Sequence, residues 1–280
     1  MNKKSFGIYR CLSKVTPMPD IAIILAGFAV GLIVGLTGVG GGSLMTPILI
    51  FFFGVKPYLA VGTDLLFAAF TKMGGTVSLA RQKLVPWRVV AQLSAGSLPA
   101  ALLTLLVLRQ LGPTSAAVQS LMTNTLGAAL LLTAVAMLYK AARGKQLPRQ
   151  LPEGQLERAT HARHWSLPVL FGAVIGTLVT LTSVGAGAIG VSVLLLLFPL
   201  LPLPRIVAAD IAYAVPLTLV AGLGHASLGS VDWPLLAKLL AGSLPGIWLG
   251  TRLMRHTPER LVRSALSVLL AYAGTKLIAF

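Results

Sequence analysis

The chain has 280 residues, of which 56% are hydrophobic and only 11% carry a charge. A soluble domain is about one-quarter charged, so this composition excludes an ordinary soluble globular protein. Apolar tracts recur from Ile21 to the C-terminus, and several reach the roughly 20 residues that cross the hydrocarbon core of a bilayer. We therefore predict an all-α polytopic membrane protein.

The net charge of +16 would suggest a nucleic-acid partner if the protein were soluble. Its lysines and arginines are instead scattered between the apolar tracts, as expected for loops on the cytoplasmic side of a membrane. We predict no nucleic-acid partner and a lipid bilayer as the surroundings. The single cysteine, Cys11, cannot form an internal disulfide, and no spacing of metal ligands is present, so we expect no bound metal.

The chain begins with a polar basic tail, residues 1–20, followed by an apolar segment without a small-x-small cleavage site. We expect this segment to be retained rather than removed as a signal peptide. The glycine-rich stretch Gly35–Pro47 then interrupts the apolar sequence, although glycine costs about 1 kcal/mol inside a helix. Non-helical backbone at membrane depth is tolerated where it is buried in protein or lines a cavity, so this break is a candidate site.

Residues 44–55 form an apolar segment that is too short to span a bilayer, which favours a half-helix or a re-entrant helix. Three tracts of transmembrane length follow at about 60–80, 88–108 and 115–138. The longest polar stretch, at 139–166, comes next and is basic. We interpret it as a linker on the cytoplasmic side.

The second half of the chain repeats the landmarks of the first. Ala95-Gly-Ser-Leu-Pro99 recurs unchanged at Ala241–Pro245, and Thr37–Gly40 matches Thr182–Gly185. The shared order of glycine break, aspartate, tryptophan and Ala-Gly-Ser-Leu-Pro indicates an internal duplication. We predict two homologous halves, each with a broken or re-entrant helix pair and about three transmembrane helices. The expected units are a tail at 1–20, a first repeat at 21–138, the linker at 139–166 and a second repeat at 167–280.

The relative orientation of the halves depends on whether the broken helix pair returns to the same side of the membrane. A re-entrant pair makes the halves inverted, which places most basic loops inside but the basic tail outside. Counting the pair as one crossing makes the halves parallel and exports a cluster of arginines at 252–263. The two schemes satisfy the positive-inside rule almost equally, and we favour inverted repeats.

The paired breaks have two interpretations, an anion site and close helix packing. A broken helix exposes backbone N–H groups at a half-helix N-terminus, which attracts anions. Matched breaks in two halves are typical of the substrate site of a transporter. Glycines also let helices approach closely, which is our interpretation of Gly27, Gly31 and Gly35 with their spacing of four. The predicted site comprises Gly40, Gly41, Gly42, Gly185 and Gly187.

Ionisable residues inside apolar helices are costly and are functional by default. Asp64 and Asp210 occupy matching positions near the predicted start of a helix, where the alternative role is an N-cap. Lys72 lies near the middle of its tract, so it needs a carboxylate, a cavity or an anion. His225 is the only histidine near a tract, and either a packing role or a proton relay fits it.

Gly185–Gly190 also matches the dinucleotide fingerprint, and Asp210 lies twenty residues further along the chain. That fingerprint requires the strand–turn–helix unit of a soluble sheet. Here Val191–Leu201 is almost continuously apolar, and prolines interrupt the region where the rest of the unit should run. We therefore predict no nucleotide and no other cofactor.

Gly38-Val-Gly-Gly-Gly-Ser-Leu-Met-Thr-Pro47 resembles the glycine-rich signature of the sulfite exporter TauE/SafE family. Ala60–Thr63, Val85–Trp87 and Gly96–Pro99 follow in the order that this family shows, and the resemblance covers about residues 21–278. It implies a secondary transporter of sulfite, sulfoacetate and related small anions in the cytoplasmic membrane, and not an enzyme.

The second half departs from the family pattern at its break. Ala186 and Ala188 stand in place of Gly41 and Ser43, and Ser192 stands at the position that corresponds to Pro47. These departures affect the identity of the substrate more than the transport role.

Our hypothesis is that the two breaks meet near the middle of the membrane and hold an oxyanion. The Ser43 and Thr63 hydroxyls and the Lys72 ammonium would join the backbone N–H groups there, with the anion closer to the first break. Asp64, Asp210 or His225 would couple proton movement to transport. The alternatives are an anion channel, a transporter of small organic carboxylates, a membrane-embedded enzyme and a non-transporting scaffold.

Overall fold

The computed structural model describes residues 20–37, 42–112, 114–142, 166–185, 187–253 and 259–278. Over these residues the chain forms ten α-helices and no β-strand, which confirms the all-α prediction. The helices are α1 (Asp20–Thr37), α2 (Gly42–Phe51), α3 (Pro57–Arg81), α4 (Trp87–Leu111), α5 (Ala116–Ala142), α6 (Ser166–Thr182), α7 (Ala188–Leu197), α8 (Leu203–Ser227), α9 (Trp233–Leu253) and α10 (Glu259–Ile278).

The helices divide into long and short ones. Among the described residues, α4, most of α5 and α8 are long and apolar enough to cross a membrane. In contrast, α2 and α7 have only 10 residues each. Such a helix is about 15 Å long, roughly half of the 30 Å core of a bilayer. The prediction of a short helix after the first break is therefore confirmed, and the second half has its counterpart.

Local sequence explains where the long helices begin. Pro57 and Pro204 lie in the first turns of α3 and α8, where a missing N–H costs nothing. Trp87 and Trp233 begin α4 and α9, and their side chains are 58% and 57% exposed. Amphipathic tryptophan rings favour the level of the lipid headgroups, so these helix starts suit the membrane interface.

The helix bounds align the two halves. The last residues of α1 and α6 are 145 positions apart. The first and last residues of α2 and α7 are 146 positions apart, and so are those of α3 and α8. The second half therefore has one extra residue in its break. With this register Ser192 corresponds to Thr46, so the prediction that it occupies the position of Pro47 is wrong.

The first helix of each half packs against the fourth helix of the other half. A Cβ atom added at Gly27 or Gly31 of α1 would overlap the backbone of Leu239 or Ser243 in α9. The predicted packing role of these two glycines is therefore confirmed, while the surroundings of Gly35 lie outside the described residues.

The interface between α4 and α6 repeats these contacts. Gly172 and Gly176 of α6 meet the backbone of Leu93 and Ser97 in α4. The two glycines lie 145 residues after Gly27 and Gly31, and their partners lie 146 residues before Leu239 and Ser243. The two copies of Ala-Gly-Ser-Leu-Pro thus supply the close approach at both interfaces, since their glycines also face the opposing backbone.

The third helices of the two halves, α3 and α8, cross one another in opposite directions. Three contacts define the crossing: Gly62 with Ser230, Leu66 with Gly222, and Gly75 with Ile211. From Gly62 to Gly75 along α3, the contacted residues run backward through α8, from Ser230 just after it to Ile211. The two helices are therefore antiparallel. Two hydrophobic clusters surround this pair, and both include residues of α3 and α5. The first also includes α4, α6, α7 and α8, and the second includes α1, α2, α9 and α10.

Candidate functional site

The break between α6 and α7 is a short, buried piece of irregular backbone. The Thr182 hydroxyl donates to the Leu178 carbonyl at 2.7 Å and accepts from the Val184 N–H at 3.1 Å, which ends α6. Gly185 and Gly187 have φ angles of 125° and 151°, a region that residues with a Cβ rarely adopt. These two glycines therefore permit the turn into α7.

The other break is the one before α2, and most of it lies outside the described residues. This holds for Gly40 and Gly41 of the predicted anion site. Gly42 begins α2 and Ser43 follows it in the first turn, but the surroundings of their side chains are also outside the described part of the chain.

Asp64 is completely buried in α3, where two other segments of the chain meet it. The Thr46 hydroxyl of α2 donates a hydrogen bond to its Oδ2 atom. The Ser183 hydroxyl, from the break after α6, lies near the same carboxyl group. The Oδ1 atom of Asp64 and the Ser183 Oγ atom make no well-aligned hydrogen bond with the described residues. The carboxyl group therefore connects α2, α3 and the second break.

Ser183 owes its position to a strained backbone, since its φ angle is 58°. Non-glycine residues with positive φ are uncommon and often occur at functional sites. Neither Ser183 nor Thr46 was predicted from the sequence as a site residue. A signal for Thr46 existed, because its counterpart Ser192 also has a hydroxyl, but the register error in the break concealed it.

Asp210 is the counterpart of Asp64 on α8 and is 2% exposed. Its carboxylate lies directly over Gly190 of α7, where an added Cβ would overlap the Oδ1 atom. Tyr213, buried one turn further along α8, lies close enough for the charge of this carboxylate to disfavour its ionisation. Each buried aspartate therefore faces the short helix of its own half.

The aspartates are not N-caps. Asp64 is the eighth residue of α3, which begins at Pro57, and Asp210 is the eighth residue of α8, which begins at Leu203. An N-cap lies at the first boundary of a helix, so this alternative is wrong for both residues.

Lys72 lies between the two aspartates. Its side chain is only 5% exposed, and its ammonium group interacts electrostatically with Asp210 most strongly and with Asp64 next. Both aspartates therefore act on Lys72 electrostatically, as predicted for a lysine inside an apolar tract. The structure brings together Asp64, Asp210 and Lys72 at the α3–α8 crossing, beside the second break.

Thr63 and His225 make contacts of a different kind. The Thr63 hydroxyl accepts a hydrogen bond of 3.0 Å from the backbone N–H of Asp232, in the loop before α9. The Nε2 atom of His225 lies 3.0 Å from the Thr180 carbonyl, and since a carbonyl only accepts, the ring donates. Both side chains thus hold backbone segments next to the buried aspartates and the lysine.

Comparison with known proteins agrees with this architecture. The family model for sulfite exporter TauE/SafE matches residues 23–277. A protein of Bacillus subtilis strain 168 named probable membrane transporter protein YjnA is 36% identical over 259 residues, which cover 92% of this chain and 100% of the relative. A second from the same strain, probable membrane transporter protein YunE, is 26% identical over 93% of this chain and 98% of the relative. No solved structure matches. The chain therefore belongs to the sulfite exporter TauE/SafE family and is a membrane transporter.

Proposed function

We propose that this protein is a secondary transporter that moves a small sulfur-containing anion, such as sulfite or a sulfonate, across the cytoplasmic membrane. The names of its relatives support the class of protein, and the name of its family also supports the class of substrate. A transporter of small organic carboxylates and an anion channel are the alternatives.

The observation that carries the proposal is a half-helix N-terminus beside a buried ammonium group. The N-cap residue of α7, Gly187, has no side chain, and it is buried. The first N–H groups of α7 therefore receive no side-chain cap, and such N–H groups attract anions. Lys72 supplies a positive charge in the same buried region, next to Asp210 over α7.

The proposed substrate site includes residues of both breaks. In this proposal the glycine-richer first break contacts the anion most closely, and Asp64, Asp210 and His225 are the candidates for coupling transport to an ion. The proposed substrate-binding residues are Gly40, Gly41, Gly42, Ser43, Thr63, Lys72, Gly185 and Gly187.

The proposed topology is a pair of inverted halves, with repeats at 21–138 and 167–280 that are joined by a basic linker. Support comes from the antiparallel crossing of α3 and α8. If equivalent helices of two repeats are antiparallel, the axis that relates them lies in the plane of the membrane, as in transporters with inverted repeats.

The test is a flux screen in proteoliposomes with sulfite, sulfate, thiosulfate, sulfoacetate and small carboxylates. The wild type should move at least one sulfur-containing anion, and Gly187→Ala should reduce that flux strongly because the φ angle of 151° strains any residue with a Cβ. Gly74→Ala is the matched control, since an added Cβ meets nothing within 4 Å at that exposed helical position. Flux of carboxylates alone, or equal flux in both variants, would contradict the proposal.

A further inference from the structure

We propose that Asp64 is the residue that binds the coupled proton, whereas Lys72 holds Asp210 as its ionised partner. This inference rests on the proposed function, because it names the proton as the ion coupled to anion transport and Asp64 as the residue that binds this proton. It also reduces the three candidate coupling residues to one.

The first argument is a count of charges. The buried charged side chains among the described residues are Asp64, Asp210 and Lys72, with His225 as a further ionisable group. The counterpart of Lys72 in the second half is Thr218, whose hydroxyl donates to the Ala214 carbonyl at 2.7 Å. Two carboxyl groups therefore share one ammonium group. A second unneutralised carboxylate would be costly in the membrane interior, so one carboxyl group needs another positive charge.

The second argument concerns which aspartate Lys72 neutralises. Ile211 contacts Gly75, so Asp210 lies about one helical turn from the level of Lys72 along the α3–α8 crossing. Asp64 lies eight residues before Lys72 on the same helix, which is about 12 Å along its axis. The electrostatic interaction of Lys72 follows the same order, with Asp210 first. Lys72 is therefore the partner of Asp210, and Asp64 is the carboxyl group that needs a proton.

The third argument is the polar environment of Asp64. Its Oδ2 atom accepts from Thr46, while its Oδ1 atom and the nearby Ser183 hydroxyl make no well-aligned hydrogen bond with the described residues. A proton on Oδ1 would turn this acceptor into a donor, and the nearby Ser183 hydroxyl oxygen can accept from it.

Other ionisable groups leave Asp64 free to titrate. On α3, Lys72 is the charged neighbour, and on α8 the groups are Asp210, Tyr213 and His225. Burial and the charge of Asp210 keep the Tyr213 phenol neutral, and the His225 ring donates to the Thr180 carbonyl. Thr46 and Ser183 are the polar groups from α2 and the second break.

The proton would bind the Asp64 carboxylate on one side of the membrane and leave to water on the other, so that no bond other than this O–H forms or breaks.

A substrate-free experiment tests the proton site. Infrared difference spectra of the purified wild type, recorded from about pH 6 upward so that exposed carboxyl groups stay ionised, should contain the carbonyl band of a protonated carboxylic acid that disappears as the pH rises. Asp64→Asn should remove the band. Asp20→Asn is the control, since Asp20 is an exposed aspartate that pairs with Lys238, and it should retain the band. Persistence of the band in Asp64→Asn would overturn the proposal.

A flux experiment tests the coupling. With the anion that the wild type moves, a pH gradient should drive net transport, and Asp64→Asn should abolish this while it still exchanges labelled for unlabelled anion. Asp64→Glu should restore gradient-driven transport. If Asp64→Asn does not purify, Asp64→Glu must shift the pH midpoint of the infrared band, and no shift would overturn the proposal. Transport driven by Na⁺ and not by pH would also overturn it. If the wild type moves no anion, the proposed function fails, and the infrared band alone decides the role of Asp64.

Discussion

At the scale of single residues, the buried aspartates show how much depends on a neighbouring glycine. Gly190 leaves room for the Asp210 carboxylate, because an added Cβ would overlap its Oδ1 atom. The carboxylate could yield only by moving away from its present partners, and an overpacked interior costs about 1–3 kcal/mol. Gly190 is therefore a structural requirement for the placement of Asp210, and it lies in the stretch that matches a nucleotide fingerprint.

We expect Gly190→Ala to lower the thermal unfolding midpoint and to reduce anion flux, since Asp210 must shift relative to Lys72. The measurement is thermal unfolding in detergent together with flux in proteoliposomes. Gly75→Ala is the matched control in the same helix crossing, because its Cβ would make an ordinary contact of 3.6 Å with Ile211. Equal midpoints for the two variants would show that Asp210 does not depend on the space above Gly190.

The ionisable residues of the site were predictable from the sequence, but their partners were not. Asp64, Asp210 and Lys72 stand out because charged side chains are rare in apolar tracts. Ser183 could not be recognised, since its role depends on a positive φ angle in the break. Thr63 lies in α3 and His225 in α8, and only the structure reveals that both bind backbone groups.

At the scale of helices, the Ala-Gly-Ser-Leu-Pro copies act as contact surfaces. A Cβ added at Gly96 of α4 would overlap the Val169 carbonyl of α6, and one at Gly242 of α9 would overlap the Ile24 carbonyl of α1. Backbone atoms cannot move aside as a flexible side chain can. Small residues that let backbones approach closely are a principal source of helix association in membranes.

We expect Gly96→Ala and Gly242→Ala to destabilise the protein by similar amounts, about 1–3 kcal/mol each. The two interfaces share no residue, so the double variant should lose approximately the sum. Unfolding midpoints in a mild detergent provide the measurement, and Gly74→Ala provides the exposed control. A large effect at only one of the two positions would mean that the interfaces are not equivalent.

At the scale of the whole molecule, the sequence predicted the helices better than their arrangement. The repeated landmarks and short segments follow from composition and spacing, and the offset indicates which helices correspond. An offset does not determine which helices touch. The packing of α1 on α9 and of α6 on α4 joins each half to the other, and it arises from glycines whose partners lie more than 70 residues away in the chain.

The orientation of the halves leads to the last prediction, which uses the ends of α3 and α8. Gln82 and Ser227 are exposed and lie at equivalent ends of these helices. In a Cys11→Ser background, Gln82→Cys and Ser227→Cys should react with a membrane-impermeant thiol reagent from opposite sides of the membrane, because antiparallel equivalent helices end on opposite sides. Inverted halves place Gln82 on the cytoplasmic side, with the basic residues Arg81, Lys83 and Arg88 nearby. Labelling of both cysteines from one side would require parallel halves and would remove the proposed in-plane axis that relates the two breaks.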